Sequence, residues 1–149
     1  MRRTTQRLVF VCVLLLAVSV VGFVLALIFQ WPSDVVIGPS RPNVTAADSV
    51  RGTVTSIPLV PMIALAVCAL LAPSRRWWGT LAVVMLCLLG GLFFIATFQE
   101  VVTPPPAYVP GAVRVGAIAL YGLLSAFLIR LGIADLIDRA RRRRQPSHA

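Results

Sequence analysis

Apolar residues in this chain do not alternate with polar ones at the period of a strand. They gather into four long stretches, 8–29, 54–72, 80–98 and 113–133, joined by three short polar connectors. The first holds 22 uncharged residues in a row, and as a helix it would reach about 33 Å at 1.5 Å per residue, enough to cross the roughly 30 Å hydrocarbon layer of a bilayer. The pattern predicts an all-α integral membrane protein. Four transmembrane helices form a small antiparallel bundle over residues 1–138, and a basic, disordered cytoplasmic tail follows over 139–149.

The second stretch is the shortest. Its purely apolar part, 57–72, has 16 residues and contains Pro58 and Pro61, so it reaches about 24 Å as a helix. Adding Val54, Thr55 and Ser56 brings it close to the hydrocarbon thickness and sets both prolines near its outer end, where a missing N–H costs little; a bend is expected near Pro61. The fourth stretch is bounded by Arg114 and Arg130, with 15 uncharged residues between them. Both guanidinium groups are expected to reach outward to the headgroups. The loop 32–53, punctuated by Pro32, Gly38, Pro39, Pro42 and Gly52, has room for a short strand or a lid over the bundle. Its tripeptide Asn43-Val44-Thr45 matches a glycosylation acceptor, a match that arises often by chance. Thr103-Pro104-Pro105-Pro106 should be extended and stiff, holding the outer ends of the third and fourth helices apart.

Charge orients this layout. The net charge is +9, and the 14 basic residues are all arginines, with no lysine; this composition suits a bacterial, GC-rich coding bias. Eleven arginines (2, 3, 7, 75, 76, 130, 139, 141, 142, 143 and 144) fall on one proposed side and only Arg41, Arg51 and Arg114 on the other. Both termini are therefore expected in the cytoplasm, in the inner membrane, with Trp77 and Trp78 at the inner interface and Trp31 and Tyr108 at the outer one. The basic start Met1-Arg2-Arg3 resembles a secretory signal, but the apolar run is longer than the 7 to 15 residues or so of a signal core, so an uncleaved first helix is expected. Basic residues at the margins of apolar stretches serve topology rather than nucleic acid, and no nucleic-acid partner is expected.

Candidate chemistry is sparse. Cys12, Cys68 and Cys87 lie singly in three stretches with no C-x-x-C pair. Cys12 and Cys68 fall at similar depth, and all three suit small packing positions. A single His148 near the C-terminal end cannot complete a metal site or a Ser-His-Asp triad. The acids Asp34, Asp48, Glu100, Asp135 and Asp138 all fall at or beyond the margins of the stretches. In size and topology the chain resembles the four-helix small multidrug transporters, but these carry an acid within the first helix and 8–29 has none. In its richness in Ala, Val, Leu and Arg it resembles small membrane proteins of actinobacteria, a likeness of composition without a shared motif. No catalytic residue, cofactor or metal is expected.

The remaining signals concern packing. Ala112, Gly116, Ala119, Gly122 and Ala126 make a stripe of small residues on the fourth helix; Cys12, Ser19, Gly22 and Ala26 make another on the first, and Cys87, Gly90 and Gly91 mark the third. These are expected to be seams of the bundle, with a homo-oligomer seam as the alternative. Tyr121 and Ser125 need hydroxyl partners inside the bundle. Glu100 and Arg114 could pair across the outer ends of the third and fourth helices. Asp135 and Asp138 stand four residues before Arg139 and Arg142, a spacing that supports a helix continuing past the membrane. The run Arg139 to Arg144 would meet anionic lipid headgroups, or an acidic partner. The function expected is that of a non-enzymatic accessory or structural component of the envelope, with or without a membrane-protein partner or a second copy of itself. The alternative is a small oligomeric transporter or channel whose path is lined by Ser19, Thr97, Tyr121 and Ser125.

Overall fold

The computed structural model describes residues 3–31, 45, 47, 53, 55–74, 76–102 and 110–144. Four helices account for most of them: α1 (Arg3–Ile28), α2 (Leu59–Leu71), α3 (Trp77–Val102) and α4 (Gly111–Arg144). No strand is formed among the described residues, and Thr53 and Ser56 make one isolated bridge. Three of the helices, α1, α3 and α4, are long and apolar enough to cross a membrane. Tyr108, His148, the tripeptide at 43–45 apart from Thr45, and the proline run at 104–106 lie outside the described residues.

The helices close a ring, α1 against α2, α2 against α3, α3 against α4 and α4 back against α1, with the most extensive contact between α3 and α4. Each neighbour runs antiparallel to the last. Gly90 on α3 faces Leu128 and Ile129 on α4, while Gly79, earlier on α3, faces Arg139, later on α4. The core runs through Leu8, Cys12 and Leu15 of α1, Leu65 and Ala69 of α2, Val83, Leu86 and Phe93 of α3, and Tyr121, Leu124 and Leu128 of α4. A small second cluster, Ala26 and Trp31 with Phe23, Leu27 and Val113, closes the far end.

The helix ends follow local rules. α1 stops as Gln30 enters the left-handed region (φ 50), letting the Trp31 N–H bond back to the Ala26 carbonyl at 3.0 Å, the geometry of a Schellman-type end. α2 ends where Pro73 cannot continue it; the Ala72 N–H still donates to Cys68 at 2.8 Å. The turn into α3 is tight: a Cβ on Gly79 would lie 2.0 Å from the Ser74 carbonyl oxygen, so only glycine fits.

Three expectations are corrected. The second helix does not cover 54–72; α2 begins at Leu59, has 13 residues and reaches about 20 Å, short of the hydrocarbon thickness. Pro58 is the cause. It holds φ at −55° with ψ at 149°, it has no N–H to donate, and it biases the residue before it toward extended backbone. The bend expected near Pro61 is replaced by this start of the helix, since Pro61 occupies the third helical position, where no intrahelical N–H bond is needed. Second, the helix expected to continue past Ile133 does so, but it does not hand over to a disordered tail at 139; α4 runs as one helix of 34 residues through Arg144. Third, the small-residue stripe of α4 is not its seam. Ala112, Gly116, Ala119 and Ala126 are exposed and only Gly122 of the stripe is half-buried, near Thr97 of α3, while Arg114, Tyr121, Leu124, Ser125, Leu128, Gly132 and Asp135 are buried. Turning the stripe inward would carry Tyr121, Arg114 and Asp135 away from the partners they have on the other helices, and polar satisfaction outweighs close packing here. The stripe of α1 is different: Cys12, Ser19, Gly22 and Ala26 are all buried.

Candidate functional site

Two polar centres are built into the bundle. The first lies inside the ring, where the backbone just before α2 is not helical. Its amide and carbonyl groups lack intrahelical partners, and in an apolar interior each would cost several kcal/mol, on the order of 2–7, if left bare. Neighbouring helices supply the bonds. Ser19 on α1 accepts the Ile57 N–H at 2.8 Å and donates its own proton to the Met62 sulfur at 3.4 Å. Tyr121 on α4 donates to the Thr55 carbonyl at 2.8 Å. Thr55 in turn donates its hydroxyl to the Gly22 carbonyl at 2.8 Å. That approach depends on Gly22, where a Cβ would meet the Thr55 carbonyl oxygen at 2.0 Å. Thr53 and Ser56 bond one another side chain to side chain at 2.8 Å and close the segment on itself.

The second centre lies at the end of the bundle where α1 starts and α4 finishes. Asp135 is fully buried and both its oxygens are engaged: Thr5 donates to Oδ1 at 2.7 Å, and Arg139 Nε donates to Oδ2 at 2.5 Å. The same guanidinium reaches on to the end of α2, with Nη2 on the Ala72 carbonyl at 2.6 Å and Nη1 on the Ser74 carbonyl at 3.2 Å. One arginine thus neutralises the buried carboxylate and caps the last carbonyls of α2, where a positive charge also suits the helix dipole. The arrangement ties three helices. It also corrects the reading of Arg139 as part of a lipid-facing basic run; Arg141 and Arg142 in the same run are exposed.

The expected pairing at the opposite end is present: Arg114 lies 3.7 Å from the Glu100 carboxylate and also donates to the Glu100 backbone carbonyl. The four residues of the suggested transport path are brought together only in part. Ser19 and Tyr121 meet at the 55–57 segment; Thr97 is half-buried and bonds its own helix at the Phe94 carbonyl, 2.7 Å away. Ser125 is fully buried and its hydroxyl has no hydrogen-bond partner among the described residues. Cys12 is buried, Cys68 packs against the same core, and Cys87 lies beside Gly132; all three are free thiols. Trp77 and Trp78 stack on each other at the exposed start of α3, with ring centroids 3.5 Å apart, whereas Trp31 is buried.

Reasoning from sequence alone missed Thr5, Thr55 and Gly132. Thr5 carried no periodic signal, and Thr55 was absorbed into a helix that starts four residues later. Gly132 belongs to the true seam of α4, where a Cβ would come within 2.3 Å of the Cys87 sulfur. Among the described residues no group of three or more His, Cys, Asp or Glu side chains is placed to hold a metal ion. No family model, curated protein or solved structure matches the chain.

Proposed function

We propose that this chain is a multi-pass bacterial inner-membrane protein that acts without catalysis, as an accessory or structural component of the envelope. The observation that supports it is how the interior polar groups are engaged. Ser19, Thr55, Tyr121, Asp135 and Arg139 all bond to this chain's own backbone or to each other, which is the work of holding a bundle together. Outside, the molecule is apolar: Phe10, Val21, Ile63, Leu70, Leu88, Ile95 and Leu123 are all more than half exposed, a surface suited to acyl chains.

In this reading α1, α3 and α4 each cross the bilayer, and the fourth crossing is completed by α2 together with the buried extended backbone before it. Irregular backbone is tolerated at that depth because it is enclosed by protein and its polar groups are bonded. The Thr5 to Asp135 bond brings the start of α1 and the end of α4 to the same end of the bundle. The arginine asymmetry puts that end in the cytoplasm. Arg141 and Arg142 face the anionic inner leaflet, each contributing on the order of 1 kcal/mol of attraction.

Purification of the tagged protein from its own membrane in a mild detergent, followed by the mass and composition of the complex, tests the accessory role. A stoichiometric second protein supports it, and the partner would name the process. A lone chain or homo-oligomer would move the weight to the second reading, a small transporter or channel. That reading draws on the non-helical backbone before α2 inside the bundle and on the buried Ser125 hydroxyl, which has no partner among the described residues, since irregular backbone at membrane depth frames many substrate sites. Flux into liposomes containing the purified protein, lost on Ser125→Ala, would establish it.

A further inference from the structure

Arg130 is the one charged residue that α4 carries on its outer face between Arg114 and Asp135. It is exposed, and no acceptor meets its guanidinium among the described residues. Its neighbours on that face are apolar: Phe127, Ile133 and Ile137 are each nearly half exposed. Sequence alone sets Arg130 at the end of a span. The structure does not, because the helix continues to Arg144 and the end of the bundle is marked by Asp135 and Arg139, tied to Thr5, Ala72 and Ser74. At 1.5 Å per residue Arg130 lies about 8 Å inward of Asp135 along the axis. A guanidinium held at that depth against lipid is costly without an anion.

Beside it is a groove. Phe94 of α3 and Ala126, Ile129, Arg130 and Ile133 of α4 line an open cleft of about 410 Å³ whose wall is almost wholly apolar, a volume within the range of ligand-sized clefts. The charges at this end favour an anion: Arg3, Arg7, Arg76, Arg141 and Arg142 are exposed there, against the half-buried Asp138 and an Asp135 already paired with Arg139.

We propose that this groove binds an anionic phospholipid, with one acyl chain along the apolar wall between α3 and α4 and the phosphate on Arg130. The planar guanidinium gives phosphate two parallel donors, a stronger and more directional contact than a headgroup makes with a point charge. An acidic side chain from a partner helix would satisfy the same charge, and it is the competing outcome that the test decides. The proposal rests on the chain spanning a bilayer, and the test separates the two.

Delipidated full-length protein is titrated in detergent with phosphatidylglycerol or with phosphatidylcholine of the same chains, and bound lipid is counted by native mass spectrometry. Wild type should bind one phosphatidylglycerol in preference to phosphatidylcholine. Arg130→Gln should reduce that preference on the order of fivefold to tenfold. Ala126→Trp, which fills the groove and keeps the charge, should lose the bound lipid, and it decides the matter should Arg130→Gln fail to fold. The double variant Arg141→Gln with Arg142→Gln should bind as wild type. A preference unchanged in Arg130→Gln or Ala126→Trp, or lost only in the double variant, overturns the site. So does wild type with no anionic preference that instead carries a stoichiometric protein. Release of wild type from its native membrane by alkaline carbonate would overturn the membrane reading itself, whatever the lipid result.

Discussion

Asp135 and Glu100 are both acids paired with an arginine, and their surroundings give the two pairs different weights. Asp135 has a side chain with no exposure and its partner Arg139 has 11 %, so removing the charge leaves a guanidinium buried without its counter-ion. Asp135→Asn should lower stability by about 3–5 kcal/mol, read as a loss of thermal stability in detergent. Glu100 is 31 % exposed, and Arg114 keeps the Glu100 backbone carbonyl as an acceptor whatever the side chain. Arg114 is as buried as Arg139, but solvent reaches Glu100 and screens its charge, so Glu100→Gln should cost less than Asp135→Asn in the same assay. A result in the reverse order would mean that the outer pair, not the inner one, holds the bundle. Tyr121→Phe removes only a hydroxyl, yet it strips the Thr55 carbonyl of its donor. Its expected cost is about 1 kcal/mol, typical of hydrogen bonds between membrane helices; no change would mean that water reaches that carbonyl.

At the scale of the elements, the glycines divide into those that permit a contact and those that do not. Gly22 lets the Thr55 carbonyl approach α1, and the atom a Cβ would strike is backbone, which cannot rotate away. Gly22→Ala should therefore cost more than the 1–3 kcal/mol or so of ordinary overpacking, and it should expose the 53–58 segment to proteolysis. Gly91 and Gly116 have nothing within 4 Å of a Cβ. Alanine at either should be neutral or raise helix stability by up to about 1 kcal/mol. If Gly116→Ala instead disrupted a complex in the membrane, the exposed stripe on α4 would be an interface with another helix. The contrast matters because sequence spacing put Gly22 and Gly116 in the same category of seam residue.

For the whole molecule, the ring order puts the start of α1, the turn between α2 and α3 and the end of α4 at one end. Single cysteines introduced at Arg3 and Arg142, in a variant with the three native thiols replaced, should both resist a membrane-impermeant maleimide added to intact cells and react after lysis. A cysteine at Thr45 should react without lysis. Labelling of one terminus only would contradict the shared end.

The all-helical class, the apolar segments and the helical register of Asp135 and Arg139 were legible in the chain, because each depends on neighbours a few residues apart or on the summed polarity of a stretch; the Glu100 to Arg114 contact needed α3 and α4 to be placed side by side. Three further features were not legible. Where α2 begins depends on whether bundle partners exist for the amides and carbonyls that Pro58 frees, and Ser19, Gly22 and Tyr121 supply them from 33 to 66 residues away. Which face of α4 turns inward was ambiguous, since its small-residue stripe and its polar residues point in different directions and only the other helices decide between them. Arg139 could be read as one more charge in a basic run until the end of α2 was beside it. Local patterns determine what each segment is; burial of polar groups, which needs partners distant in the chain, determines how the segments are placed.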